Sequence, residues 1–328
     1  MKYRKGMALV VACMLLFVFT ACSSGGNKGT ADSGGEKDAE KTIKIGVSVS
    51  TMTEFFADQM TGYEDAAKEF GNVEIVGKYD ADMDVQKQFE HISTFTSMGV
   101  DVIALSLVDV STAQEILNLA GDIPVIFTNR QPDASVYESD NSAYVGGSEE
   151  EAGRFQGEYI AKLLTEQGKT ECNYAMFIGD LSADNSRERT EGAIAALEES
   201  GLTLNEVFSD VAGWDRTEAL TKMQQVIGSG AKIDCVIANN DEMAIGALEA
   251  LKAAGRTDVP VAGLDGTSNA LQLVKNGELA MTVLQNGPAQ AHVVVEAAVN
   301  LLRKDVPLED YYDVPFEPVT PDNVDEYM

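Results

Sequence analysis

Histidine, tryptophan and cysteine are almost missing from this chain. Two histidines, one tryptophan and four cysteines stand among 328 residues. Both histidines, His91 and His292, fall in helix-like segments, so no metal-site spacing exists and none is expected. Positive charge is scarce too: 24 Lys and Arg face 53 Asp and Glu, a formal net charge of -29. Such a chain repels nucleic acid and anionic membrane, which excludes a polyanion as partner. The acidic residues are spread along the sequence, as a well-solvated surface requires. One extended apolar run, from about Met7 to Phe19, is too short for an ordinary membrane span.

That run is preceded by Lys2, Arg4 and Lys5, and the combination reads as a secretory signal. It ends in Phe19-Thr20-Ala21-Cys22, which resembles a bacterial lipobox, although Phe19 and Thr20 depart from the commoner Leu and Ser or Ala. The reading is a signal peptide over 1–21, with Cys22 lipid-modified as the mature N-terminus. Residues 22–41 then form a tether of Gly, Ser, Asp, Glu, Lys and Ala, with nothing large to bury. Lipid, tether and body in that order place the protein outside the cytoplasm, anchored to the outer face of the cytoplasmic membrane. Cys13 leaves with the signal, so Cys172 and Cys235 remain, each at the start of an apolar run. If those runs are neighbouring strands a disulfide can form; two buried free thiols are the other reading.

Nearly three hundred residues follow, enough for two domains. They alternate short apolar runs with longer amphipathic ones. Strands are expected at 43–49, 73–78, 102–107, 124–128 and 143–146, with helices at 56–70, 84–98, 112–120 and 149–166. The rhythm restarts with strands at 173–178, 204–208, 234–238, 259–264 and 280–284 and helices at 187–200, 217–228, 243–254 and 269–275. Alternation of this kind means α/β architecture: parallel sheets covered by helices, here in two similar doubly wound lobes. Ligands collect at the carboxyl ends of parallel strands. Thr128-Asn129-Arg130, Asn239-Asn240-Asp241, Asp265 and Gln285-Asn286 all fall at such ends. One polar ending is ordinary turn chemistry; four of them, on strands of two lobes, point to a polar cleft between the lobes.

At these residues the chain resembles the periplasmic binding proteins of the galactose/glucose and ribose type, the ligand-capturing subunits of sugar ABC transporters. The resemblance runs from about Thr42 to the C-terminus. Pro124 to Arg130 and Tyr144-Val145-Gly146 through Gln156-Gly157 carry it in the first half. Ser186 to Gly192, Trp214-Asp215, Ile237 to Asp241, Gly263 to Gly266 and Thr282 to Gln285 carry it in the second. It implies the type I periplasmic binding protein fold, with lobes joined by a three-strand hinge. Crossings are expected near 146–148, 285–286 and 311–313. The lobes would comprise residues 42–147 with 286–312, and 148–285 with 313–328. Ligand would stabilise the closed form, because only there does it touch both lobes.

A pyranose offers two apolar C–H faces and a rim of hydroxyls, so it calls for an aromatic ring on each face and polar groups around the edge. The resemblance puts Phe56 and Trp214 on the faces. On the rim it puts Asp265 as a charged acceptor, Arg189 as a donor, and Asn129 and Asn240 in both roles. Arg130, Gln285 and the paired Phe55 match the ribose type. Glu54 stands where the galactose type has an Asp on the fourth hydroxyl, one methylene longer. Asn185 replaces an Asp in a loop that here lacks the family's His. Gly168-Lys169-Thr170-Glu171 lacks the acidic pattern of the galactose-type calcium loop, so no calcium is expected there. Arg187 is read as a helix-start salt bridge, and Asp241 as a helix cap.

The expected protein is therefore a monomer that binds a monosaccharide, galactose or glucose first, and docks on an ABC transporter permease and ATPase. No cofactor is implied. A sugar sensor feeding a kinase or chemoreceptor, or a ligand of ribose, xylose or inositol type, is the alternative. A lac-repressor-type regulator would need a DNA-binding segment where the signal stands. A sugar-processing enzyme would need more than carboxylates at strand ends, and no nucleophile motif supports one.

Overall fold

The computed structural model describes residues 41–137, 141–181 and 183–328. The signal, Cys22 and all of the tether but its last residue lie outside the described residues, as does Ser182. The first half runs β1 (Ile43–Val49), α1 (Glu54–Phe70), β2 (Val73–Asp80), α2 (Val85–Met98), β3 (Val102–Leu105), α3 (Ala113–Ala120), β4 (Val125–Thr128), α4 (Ala134–Tyr137) and β5 (Ser142–Gly146). The second runs α5 (Glu149–Glu166), β6 (Glu171–Ile178), α6 (Asp184–Glu199), β7 (Thr203–Val211), α7 (Arg216–Gly228), β8 (Cys235–Ala238), α8 (Asp241–Ala253), β9 (Val261–Ala262), α9 (Ser268–Lys275) and β10 (Thr282–Leu284). The chain then returns through α10 (Gly287–Lys304) and β11 (Tyr311–Asp313), and leaves through β12 (Glu317–Val319).

Two sheets result. The first has the order β11-β5-β4-β3-β1-β2, and every pair in it is parallel. The second has the order β7-β6-β8-β9, also parallel. Parallel bridges at Ala262–Met281 and Asp265–Leu284 extend it to β10, which pairs antiparallel with β12. Central strands β3, β4, β5 and β8 are buried on both faces, as helices on both sides of a sheet require. Edge strand β7 is exposed or half-buried along its length, so its apolar residues mark only part of the nine it spans.

The chain passes between the sheets three times: from β5 to α5, from β10 to α10, and from β11 to β12. β11 itself belongs to the first sheet, so the third crossing follows it directly. α4 and β12 were not expected; both are short, and neither carries an apolar period long enough to read. Helix starts were legible where a small polar side chain caps them: Asp84 accepts from the N–H of Gln86 and Lys87 at 2.8 and 3.2 Å. α6 begins at Asp184, three residues earlier than expected, because Ala183 provides no side-chain cap to mark its start.

Candidate cavity between the lobes

The ends of the strands converge on one cavity. β1 ends in Ser50, Thr51 and Thr53, and α1 opens with Phe55 and Phe56; β4 ends in Asn129 and Arg130. From the other lobe come Asn185 and Arg189 on α6, Trp214 after β7, Asn240 after β8 and Asp265 after β9. Together these twelve residues line a cavity of ≈ 390 Å³ of empty space, its open mouth included. Nine of the eleven residues singled out in the sequence are among them. Gln285 and Glu54 are not.

Arg189 is the hub. It is buried, and its Nε donates to Glu149 Oε2 at 2.6 Å. Its Nη1 donates to the Asn239 carbonyl at 2.8 Å, and its Nη2 to Gln285 Oε1 at 3.3 Å. The guanidinium carbon lies 5.8 Å from the ring centres of both Trp214 and Phe316. Burial works against the charge of Arg189, and the Glu149 carboxylate outweighs it. Burial likewise pushes the Glu149 carboxyl up, against the pull of Arg189. Helices α5 and α6 approach closely enough to make this pair because position 153 is glycine. A Cβ there would stand 2.0 Å from the Arg189 carbonyl oxygen.

Gln285 sits just behind the cavity wall, at the crossing from β10 to α10. Its Oε1 accepts from Asn129 Nδ2 of the first lobe at 3.4 Å as well as from Arg189 of the second. Asn129 also has its Oδ1 bonded to Ser106 Oγ at 3.4 Å. Both amides therefore tie the lobes together. Glu54 points out of the cavity: its Oε1 accepts from the Asn269 N–H at 3.3 Å, across the lobes at the start of α9.

Asn240, and not Asp241, caps α8: its Oδ1 accepts from the Met243 N–H at 3.0 Å, leaving Nδ2 toward the Trp214 carbonyl at 3.5 Å. Asp241 is instead fully buried, accepting from Thr282 Oγ1 at 2.7 Å and from the Thr267 N–H at 2.8 Å. Loss of water pushes its carboxyl up to about 6. The same cause and the neighbouring Asp241 push the Asp265 carboxyl well up, with Arg189 pulling the other way. Arg187 pairs with Asp184 at the start of α6, as its spacing suggested.

On the first-lobe side, Phe55 and Phe56 meet edge to face at 5.0 Å. Arg130 is buried, with Nη1 donating to the Val108 carbonyl at 2.7 Å. Burial lowers its pKa, only partly offset by the more distant Asp180. Trp214 is wedged against Gly179, where a Cβ would lie 2.2 Å from the indole, and its Nε1 has no hydrogen-bond partner among the described residues. Asn129, Trp214 and Asp265 all have positive φ, of 63°, 63° and 137°. Strained non-glycine backbone tends to persist where surrounding structure holds it for a purpose, and here three instances meet in one cavity.

Four contributors, Ser50, Thr51, Thr53 and Glu149, escaped the sequence reading. Ser50, Thr51 and Thr53 follow the same strand-end rule as the others and were findable by it. Glu149 was not: it opens a run of three glutamates that look like ordinary first-turn helix residues. Asn239 holds the Arg189 guanidinium and, through Oδ1, the Gly179 N–H at 3.1 Å.

A family model described as the periplasmic binding protein domain matches residues 45–305. An ABC transporter solute-binding protein of Bacillus halodurans C-125, whose crystal structure holds myo-inositol, superposes with a TM-score of 0.78 at 36% identity. That match covers 88% of this chain and 97% of the other. The D-galactose/methyl-galactoside binding periplasmic protein of Haemophilus influenzae is 33% identical, over 79% of this chain and 81% of the relative. A xylitol-binding protein of Mycolicibacterium smegmatis is 32% identical, over 93% and 82%. With the paired parallel sheets, the three crossings and the cavity between them, this chain belongs to the periplasmic binding protein family and has its type I fold.

Proposed function

We propose that the protein is the extracytoplasmic solute-binding subunit of an ABC importer, and that it captures a cyclic polyol in the cavity between its lobes. One observation carries this reading. Aromatic side chains from both lobes, Phe56 and Trp214, share a cavity with two guanidiniums, a carboxylate and three side-chain amides. Apolar faces with a hydrogen-bonding rim are the chemistry of a ring bearing hydroxyls. On this reading the eleven residues act as ligand contacts, except that Gln285 works chiefly by joining Asn129 to Arg189, and Glu54 by joining the lobes outside the cavity. The lobes divide at 42–147 with 286–313, all of β11 included, and 148–285 with 314–328, one residue beyond the expected boundary. Cys22 carries the lipid that holds the protein at the outer face of the membrane, and a permease with its ATPase receives the closed form.

Within the class we place a cyclitol of inositol type ahead of galactose or glucose. The outward turn of Glu54 removes the acceptor that the galactose type aims at the fourth hydroxyl. Arg130 and Gln285 match the ribose type, and the 36% identical Bacillus halodurans relative was crystallised with myo-inositol. The test is to unfold and refold the protein, which strips any co-purified ligand, and to titrate it with myo-inositol, galactose, glucose, ribose and xylose. Trp214 fluorescence and melting temperature report binding. A saturable response to myo-inositol at micromolar concentration supports the cyclitol, and a response to a hexose alone returns galactose or glucose to first place. No response to any of them overturns the polyol reading.

A further inference from the structure

Cys172 and Cys235 are both fully buried, on neighbouring parallel strands β6 and β8, in the apolar layer that α5 and α6 cover. Their Sγ atoms stand 3.4 Å apart. In a disulfide the separation is about 2.05 Å. Cys235 stands level with Tyr174, two residues along β6 from Cys172, so closing the remaining roughly 1.4 Å needs movement of the strand ends as well as side-chain rotation. Each lies at the beginning of its strand, where little regular pairing precedes it: Cys172 is the second residue of β6 and Cys235 the first of β8. Neither thiol is part of the cavity.

We propose that these two cysteines are a modification site that is oxidised to a disulfide when the chain folds in an oxidising compartment. This rests on the extracytoplasmic placement made above, since outside the cytoplasm no reducing pool holds such a pair as thiols while the chain folds. The oxidant is a disulfide donor. One cysteine thiolate attacks the donor, forms a mixed disulfide and expels the first donor thiolate. The second cysteine thiolate then attacks the mixed disulfide and expels the other. Two protein thiols lose two protons and two electrons, and the donor leaves as two thiols. The exchange takes place before α5 and α6 cover the strands, because in the finished fold both sulfurs are closed to solvent. The bond closes a loop of 63 residues. It joins the strands whose other ends carry Gly179 and Asn239, and so staples the second lobe beneath its cavity wall.

The test uses the full chain, unfolded and reduced, then refolded either in a mixture of glutathione and glutathione disulfide or with excess reductant. After alkylation and digestion, the peptides holding Cys172 and Cys235 are expected to appear linked in the first sample and separate in the second. The oxidised protein is expected to melt higher by roughly 5 °C or more. In Cys172→Ala and Cys235→Ala the two refolding conditions should give the same melting temperature. Separate, fully alkylated peptides after refolding with glutathione disulfide overturn the proposal, and this comparison needs only the unmutated chain. If the link forms in the tube but is missing from protein recovered from cells, the extracytoplasmic placement fails and the chemistry of the pair stands.

Discussion

The first lobe presents Arg130 to the cavity on neutral partners, the Val108 carbonyl and the Met83 sulfur, with hydroxyls and two phenyl rings around it. The second lobe presents Arg189 through a buried network: Glu149 on one nitrogen, the Asn239 carbonyl and Gln285 on the others, and an indole beside it. That wall also carries the Asp265 carboxylate, with Asp241 buried behind it: loss of water raises the protonation of both, and Asp241 raises that of Asp265 further. One wall is thus mostly neutral and held by secondary structure, and the other is charged and held by side chains. A buried charge must be compensated before any ligand arrives. The second lobe therefore depends on its site residues for stability as well as for binding, whereas the first lobe depends on them chiefly for binding.

Arg189→Met tests this most severely. It strands the Glu149 carboxylate in the interior and should cost about 3–5 kcal/mol of stability, measured by denaturant unfolding, together with loss of ligand binding. Arg130→Met should abolish most binding yet cost far less stability, because no carboxylate is left alone. Equal losses in the two variants would erase the distinction between the walls. Next come the faces: Trp214→Ala and Phe56→Ala should each weaken ligand binding by roughly 30- to 100-fold, an aromatic face being worth about 2–3 kcal/mol. Trp214 should show the larger loss, since it also shields Arg189.

The charged wall should also respond to pH. Below the raised pKa of Asp265 the empty protein holds a proton that the unfolded chain has already released above pH 4, so the empty protein loses stability as pH rises through that range. Ligand hydroxyls donate to the carboxylate form, so binding should release a proton and tighten as pH rises, then level off above the raised pKa. Calorimetry in buffers of differing ionisation enthalpy reads this directly, and Asp265→Asn should abolish it.

A second pH effect lies at the base of the same lobe. Lys169 and Asn173 lower the carboxyl of Asp234 to about 2 against the cost of its burial. Its contribution, about 2 kcal/mol, is present above pH 4 and is lost as pH falls toward 2; Asp234→Ala should forfeit it at pH 7. The smallest effect belongs to Glu54. Glu54→Ala removes the bond to the Asn269 N–H that spans the lobes, and should weaken binding only a few-fold by favouring the open form.

Much of this was legible in the chain itself. The alternation of apolar and amphipathic runs gives two α/β lobes because a buried parallel strand must be apolar on both faces while its covering helix needs only one. Polar residues at strand ends point to the cavity because ligands collect there. What the sequence could not supply is the partner of each charge. Glu149 reads as a first-turn glutamate, Asp241 as a cap and Glu54 as a rim acceptor, since each role depends on groups far away along the chain. Arg189 meets Glu149 across 40 residues, and Glu54 meets Asn269 across 215. Local pattern determines which segments form strands and helices, because that choice rests on near neighbours and on water. Only the tertiary structure decides which buried polar groups face the cavity and which hold one another, because burial makes every unpaired charge costly and packing alone selects its partner.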